Sequence, residues 1–288
     1  MKNKKILIIG SSGFLGSHLV NALHKNNHII TFDTNPPNRE YDEITFVQGS
    51  ILDKTLILKA MKNVDIVYHF AALTDLDTVN NDPAPAIEIN IAGTSNVLDA
   101  CIEENVERLV FSSSVYVYSK TGGVYKSTKQ ACELLIKDYD KMYDLNYTIL
   151  QLGSVYGPHS NHTNLITRLI IEGIGKRQMK HFGTGDEIRQ YIFVKDIVKA
   201  AIASISKKYN KQKVIVIGNE ATSISQLMDH IIFLLGSDIK KIFHIKDYDI
   251  HYKSSPFDIK LDGAIYFNIN SPTNLNDGLI ETISSIQN

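Results

Sequence analysis

The sequence predicts an α/β protein built on a doubly wound parallel sheet, with a smaller C-terminal lobe. Three observations carry the prediction. Short apolar runs alternate with helical patterns through the first half of the chain. The runs are apolar on both faces, as strands covered by helices on either side must be. A glycine-rich turn, Gly10-Ser-Ser-Gly13-Phe-Leu-Gly16, falls between the first such run and the first helical pattern, where a Rossmann-like fold places it.

In chain order, residues 5–9 read as a buried strand and 16–25 as the helix behind it. Residues 29–32, 45–48 and 65–70 read as the next three strands. A helical pattern spans 86–104, residues 108–112 form a strand, 127–143 a helix and 147–152 a strand. After Gly157-Pro158 the rhythm loosens. A helix is expected over 164–173, then a loop at Gly183-Thr-Gly185 and a strand at 190–193. A helix from Asp196 and a strand at 213–217 can return to the main sheet. The tail from Thr222 is mixed and ends in a helix around 276–286.

Composition bounds the function. The chain has 288 residues, 43% of them hydrophobic, enough for one dominant domain and a smaller appendage. Net charge is −1 with the signs interleaved, so no basic field exists to attract nucleic acid. Cys101 and Cys132 lack the spacing of a disulfide framework or a zinc site, and five downstream histidines (159, 162, 181, 244, 251) show no ligand spacing, so no metal is expected. The apolar run 6–9 is too short for a signal sequence and no stretch approaches membrane-spanning length, which predicts a soluble protein of a reducing cytoplasm.

The glycine turn suits a dinucleotide. Gly10 and Gly13 let the backbone approach a pyrophosphate, Gly16 lets the helix pack close to the strand, and the helix N-terminus offers free N–H groups to phosphate. Asp33 follows the second strand, where its carboxylate can accept from the adenosine ribose hydroxyls and repel a 2′-phosphate, favouring NAD over NADP; Arg39 nearby tempers that preference. His69-Phe70-Ala71-Ala72 closes the fourth strand with small residues that leave room for a cofactor, and His69 itself reads as a core histidine.

The chemistry is carried by Tyr125 and Lys129, four apart and so on one helix face. A phenol is a poor base at neutral pH, and a nearby ammonium is expected to lower its pKa and fit it for proton transfer. Phe111-Ser-Ser-Ser114 ends the fifth strand. There Ser114 is the candidate to orient a reacting oxygen, while Ser112 and Ser113 can satisfy backbone groups.

These residues together resemble the extended short-chain dehydrogenase/reductases, within them the NAD-dependent epimerase/dehydratase group acting on nucleotide sugars. The motifs run along nearly the whole chain: GxxGFxG at 10–16, Asp33, HFAA at 69–72, Asn90-Ile-Ala-Gly-Thr94, the serine run, YxxxK, Val155-Tyr-Gly-Pro158, the segment from Arg189 to Asp196, and residues 271–279. The resemblance implies a catalytic trio of Ser114, Tyr125 and Lys129. It implies NAD contacts from Gly10, Gly13, Phe14, Leu15, Gly16, Asp33, Ser50 and Ile51, from Phe70, Ala71 and Ala72, and from Ser112, Tyr125, Lys129 and Val155. Asn164, Phe182 and Arg189 match positions that hold a nucleoside diphosphate, and Lys253 stands where a late arginine is usual. It further implies a homodimer through the helices over 86–104 and 127–143, which carry Leu134, Leu135 and Met142. On this basis residues 1–156, with 191–218 returning to them, form an NAD-binding domain, and 157–190 with 219–288 a substrate-binding lobe.

The chain also departs from that pattern. The stretch between Ser114 and Tyr125 is about half the usual length, which suggests an open substrate entrance. Ser50 replaces a common aspartate, and Gln151 and Ser154 replace the usual Arg and Asn. Dehydratases of the group carry Asp-Glu after the hydroxyl residue; here Val115-Tyr116 follows Ser114. The expectation is therefore a C4 epimerase of a nucleotide sugar. A 4-ketoreductase of a 4-keto-6-deoxy nucleotide sugar is the alternative, and a catalytically silent NAD-binding regulator is a third reading.

Overall fold

The structure is a computed structural model and describes all residues except 40, 42, 237, 245–250, 252, 254–262 and 288. The first half runs β1 (Lys5–Ile9), α1 (Phe14–Leu23), β2 (His28–Asp33), β3 (Thr45–Gln48), α2 (Lys54–Met61), β4 (Ile66–His69), α3 (Leu76–Asn81), α4 (Pro83–Ile87), α5 (Gly93–Glu103), β5 (Arg108–Ser114), α6 (Gly123–Tyr143) and β6 (Tyr147–Leu152). The second half runs β7 (Ser154–Tyr156), α7 (Leu165–Lys176), β8 (Gln178–Phe182), β9 (Ile188–Phe193), α8 (Val194–Ala203), β10 (Gln212–Val216), β11 (Ala221–Ser223), α9 (Ile224–Leu235), β12 (Lys240–His244), β13 (Ile265–Tyr266) and α10 (Leu275–Gln287).

Eight strands form one sheet in the order β13-β10-β6-β5-β4-β1-β2-β3, and all its pairings are parallel. Successive side chains of a strand point to opposite faces, and the core divides accordingly. Leu7, Ile9, Val67, Leu109 and Ile149 face α2, α5 and α6, while Ile6, Ile8, Tyr68, Val110 and Leu150 face α1 and α8. The chain winds outward from β1 through β2 to β3, then returns to the other side of β1 at β4. Strand order reverses there, and a parallel sheet leaves its ligand crevice at that reversal.

The smaller lobe has its own core, in which Tyr156 and Phe193 pack with Leu169, Leu227, Ile231 and Leu279 from α7, α9 and α10. Its strands form a three-stranded sheet, β11-β9-β7, and the pair β12-β8. The strand expected at 190–193 is β9, in this small sheet, whereas α8 and β10 belong to the layers of the large one.

Three differences from the sequence reading bear on the site. The helix expected over 86–104 is interrupted by a π turn, Glu88–Ala92. Asn90 within it is buried and exchanges hydrogen bonds with both backbone groups of Leu73 and with Thr128. Strand β5 continues through Ser114, so the serines lie within the strand. Helix α6 begins at Gly123, so Tyr125 sits in its first turn. That start needs glycine: Gly123 has φ +52°, and a Cβ there would come 1.9 Å from Asn80 Oδ1, which accepts from the Val124 N–H. Helices α2 and α3, of eight and six residues, have no counterpart in the sequence reading.

Candidate active site

The dinucleotide end is built where β1 and β4 part. Gly10 has φ +83°, and a Cβ on it would lie 2.5 Å from the Ala71 backbone nitrogen. The turn therefore presses directly on the small residues that follow β4. Phe70 N–H donates to the Ile9 carbonyl at 2.8 Å and closes the contact. Helix α1 starts at Gly13 with no side-chain cap and no acidic residue in its first turn, leaving its N–H groups and positive end available to an anion. Ser11 Oγ, buried in the same turn, has no partner among the described residues. The Asp33 carboxylate accepts from the Ser12 and Asn35 N–H groups, each at 3.0 Å, and so braces the turn against β2. Ile51 is buried beneath Gly93, and Ser50 Oγ accepts from Leu52 N–H.

The chemical end is a meeting of β5 with α6. Lys129 Nζ donates to the Ser112 carbonyl at 2.8 Å and lies 4.7 Å from the centre of the Phe111 ring. Ser112 Oγ donates to the His69 carbonyl, which joins this end to the dinucleotide end. Ser114 hydrogen-bonds Tyr125, and its Oγ also accepts from Tyr116 N–H at 3.2 Å. His69 is a buried core histidine, its Nε2 3.0 Å from Thr94 Oγ1. The segment between Ser114 and Tyr125 is tied down by Gln130 Nε2 on the Val117 carbonyl and Lys126 Nζ on the Ser119 carbonyl. Tyr116 from this segment reaches His251 across the mouth at 2.9 Å.

A cleft of about 1230 Å³ runs from this end into the smaller lobe. Phe14, Ser114, Tyr125 and Val155 from the earlier part of the chain and Asn164, Phe182, Arg189 and Lys253 from the later part all line it. All five residues expected to hold substrate thus share one cavity. Asn164 is already engaged: its Oδ1 caps α7 at Ile166 N–H, and its Nδ2 donates to the Val155 carbonyl, leaving one amide hydrogen for a ligand. Arg189 is buried and donates to the Ile188 carbonyl. Phe182 and Lys253 are exposed, with Phe182 packed near His244.

The profile of the NAD dependent epimerase/dehydratase family matches residues 6–218, about three quarters of the chain. The chain belongs to this family. It is similar to the dTDP-glucose 4,6-dehydratase of Mycolicibacterium smegmatis, 29% identical over 282 residues covering 88% of this chain and 85% of that protein. The UDP-N-acetylglucosamine 4-epimerase of Methanobrevibacter ruminantium, solved with UDP-N-acetylmuramic acid, superposes with a TM-score of 0.87 at 25% identity, covering 100% of this chain and 99% of that one. The UDP-glucuronic acid 4-epimerase of Bacillus cereus, solved with UDP-glucuronic acid and NAD, superposes with a TM-score of 0.87 at 25% identity, covering 98% and 99%.

NAD is the cofactor of the family, and the turn at Gly10 fits it: a backbone approach that a Cβ would block, an uncapped helix end and a carboxylate on the last residue of β2. One expectation is reversed. The sequence predicts that Lys129 draws the Tyr125 phenol below its ordinary pKa. In the structure burial dominates and pushes Tyr125 up to about 12, with the hydrogen bond from Ser114 working against it. Burial likewise brings Lys129 down to about 8, and its amine is turned to the Ser112 carbonyl.

Other residues of the family member's site escaped the sequence reading. Glu133 lies one further turn along α6 on the face of Tyr125 and Lys129, a spacing the sequence does display. The His181–Glu187 pair, 3.1 Å apart in the lobe, has no sequence signal beyond lying beside the Gly183-Thr-Gly185 loop. Among the described residues no metal-binding cluster occurs and no helix is long and apolar enough to cross a membrane.

Proposed function

We propose that this chain is an NAD-dependent nucleotide-sugar epimerase acting at C4 of the sugar. The observation that carries the reading is a single cleft joining the Ser114/Tyr125 hydroxyl pair to the Arg189/Lys253 cations. Its volume suits a nucleoside diphosphate sugar. The sugar lies against Tyr125, the diphosphate against Arg189 and Lys253, and the base against Phe182. Ser114 orients the C4 oxygen, and Tyr125 takes and later returns the hydroxyl proton. Lys129 holds the end of β5 against α6 through Ser112 and binds the nicotinamide ribose. The chemistry NAD supplies when bound is reversible hydride uptake at the same carbon. Dehydration across C5 and C6 needs a further acid and base, and Val115 and Tyr116 offer no carboxylate beside Ser114.

The same reading takes the protein to be a homodimer. Helix α6 exposes Leu134 and Met142 about 80° apart around its axis, apolar surface suited to a second copy; Leu135, expected beside them, packs toward the core.

The test is incubation of the purified protein with UDP-, dTDP-, GDP- and CDP-hexoses, with the C4 epimers separated and counted. Epimer exchange without net change in NADH absorbance supports the proposal. Net NADH oxidation on a 4-keto-6-deoxy nucleotide sugar, without epimer exchange, replaces it with a ketoreductase.

A further inference from the structure

Three consecutive residues of β5 meet three residues of α6 spaced four apart. Ser114 pairs with Tyr125, the Ser112 carbonyl with Lys129, and Ser113 Oγ donates to the Glu133 carboxylate at 2.5 Å. The first two contacts belong to the chemistry above; the third has no part in it. Glu133 is buried, and Gln151 Nε2 donates to its two oxygens at 2.9 and 3.2 Å. The Gln151 amide is held that way round because its Oε1 accepts from the Tyr118 hydroxyl at 2.8 Å. Among the described residues, neutral donors alone bond the carboxylate, and no cation stands within ion-pair distance. A buried carboxylate without an ion partner is costly, and this one sits one turn beyond a buried lysine on the same helix face.

We propose that Glu133 is a positioning residue of the active site: its uncompensated charge keeps Lys129 in the ammonium form, and its bond to Ser113 holds the end of β5 in register with α6. The inference rests on the epimerase reading for its meaning, though not for its measurement. Burial is the main influence on Lys129 and lowers its pKa to about 8; Cys132 and then Glu133 oppose it. The other titratable groups facing the pair are His69 from β4, Tyr125 and Cys132 on α6, Tyr147 on β6 and Tyr118 beyond β5. Burial holds His69 neutral, at about 3, and raises Tyr125, Cys132 and Tyr147. None of them offers Lys129 a standing negative charge at neutral pH. Glu133 does.

The experiment uses two variants that silence the charge differently. Glu133→Gln removes it and keeps the shape; Gln151→Arg keeps the carboxylate and pairs it. Urea unfolding is followed from pH 6 to 11 for wild type and both variants, each with and without Lys129→Met, and the difference isolates the lysine. In wild type the Lys129-dependent stability rises between about 8 and 10.5, where the unfolded chain holds the proton and the folded chain has lost it. Both variants move the lower edge of that rise down by roughly one pH unit, a tenfold loss of proton affinity at the amine. An unmoved edge in both overturns the proposal, and an unmoved edge in Gln151→Arg overturns it alone if Glu133→Gln does not fold. A moved edge in a protein that turns over no nucleotide sugar retains the role of Glu133 and discards the epimerase reading; turnover with an unmoved edge does the reverse.

Discussion

Lys129 Nζ donates to the carbonyl of Ser112, and two residues later in the same strand Ser114 meets Tyr125 one turn back along the same helix. The strand and helix thus meet on both sides of the Tyr125 phenol, and the Lys129 bond to the Ser112 carbonyl does not depend on the phenolic oxygen.

Tyr125→Phe keeps the Lys129–Ser112 contact and removes the hydroxyl proposed to carry the proton. Turnover is expected to fall by about 10²-fold or more, with NAD affinity measured by titration within a few-fold of wild type. A variant that retains wild-type turnover removes Tyr125 from the proton-transfer role.

The fold was legible because its signals are local. Strands buried on two faces read as apolar runs, and Gly10 declares a turn at a strand end. The family motifs tie Ser114, Tyr125 and Lys129 together before any coordinates. What escaped depends on contacts distant in sequence. The π turn exists because Asn90 binds Leu73 and Thr128 from two other segments. The raised Tyr125 pKa comes from burial that only packing creates. The Glu133–Gln151 pair joins two different elements, α6 and β6, whose packing no period within either one reports. Strand β9 is recognisable as a strand wherever it lies, and its place in the small sheet is set by pairing with β7 and β11.

Gly10→Ala tests the cofactor cradle. Alanine must adopt φ near +83° and place its Cβ 2.5 Å from backbone that cannot yield cheaply. A stability loss of about 1–3 kcal/mol is expected by thermal or urea unfolding. NAD affinity should fall about tenfold or more, which isothermal titration can read. Unchanged NAD affinity would move the dinucleotide away from this turn.

Asp33→Ser probes coenzyme choice. The carboxylate accepts from the Ser12 and Asn35 N–H groups, so a shorter neutral side chain loosens the turn while removing the charge that repels a 2′-phosphate. The ratio of NAD to NADP affinity is expected to drop by about tenfold or more, equal to 1.4 kcal/mol, with NADP binding improved. A ratio that stays at the wild-type value separates Asp33 from the ribose.

Glu187 organises the lobe end of the cleft, and its removal should separate binding from chemistry. Its oxygens accept from the Thr184 and Gly185 N–H groups, each at 2.9 Å, and from His181 at 3.1 Å, fixing the loop between Phe182 and Arg189. Burial raises the pKa of this carboxyl, but the backbone hydrogen bonds and His181 outweigh it and leave it below the ordinary 4.5. A carboxyl lowered on folding gives stability that is present above 4.5 and is lost as pH falls through its folded value. Burial holds His181 below its ordinary 6.5 despite that partner, so the imidazole is largely neutral at pH 7 and the backbone donors carry most of the contact. Glu187→Gln faces one of those donors with an N–H and is expected to cost about 1–3 kcal/mol at pH 7. That difference should shrink as urea unfolding is repeated below pH 4.5. On the proposed substrate, KM should rise while kcat changes little, because the side-chain contacts of Glu187 are with Thr184, Gly185 and His181 and not with Tyr125 or Ser114. A fall in kcat with KM unchanged would show that this loop acts on the reacting end instead.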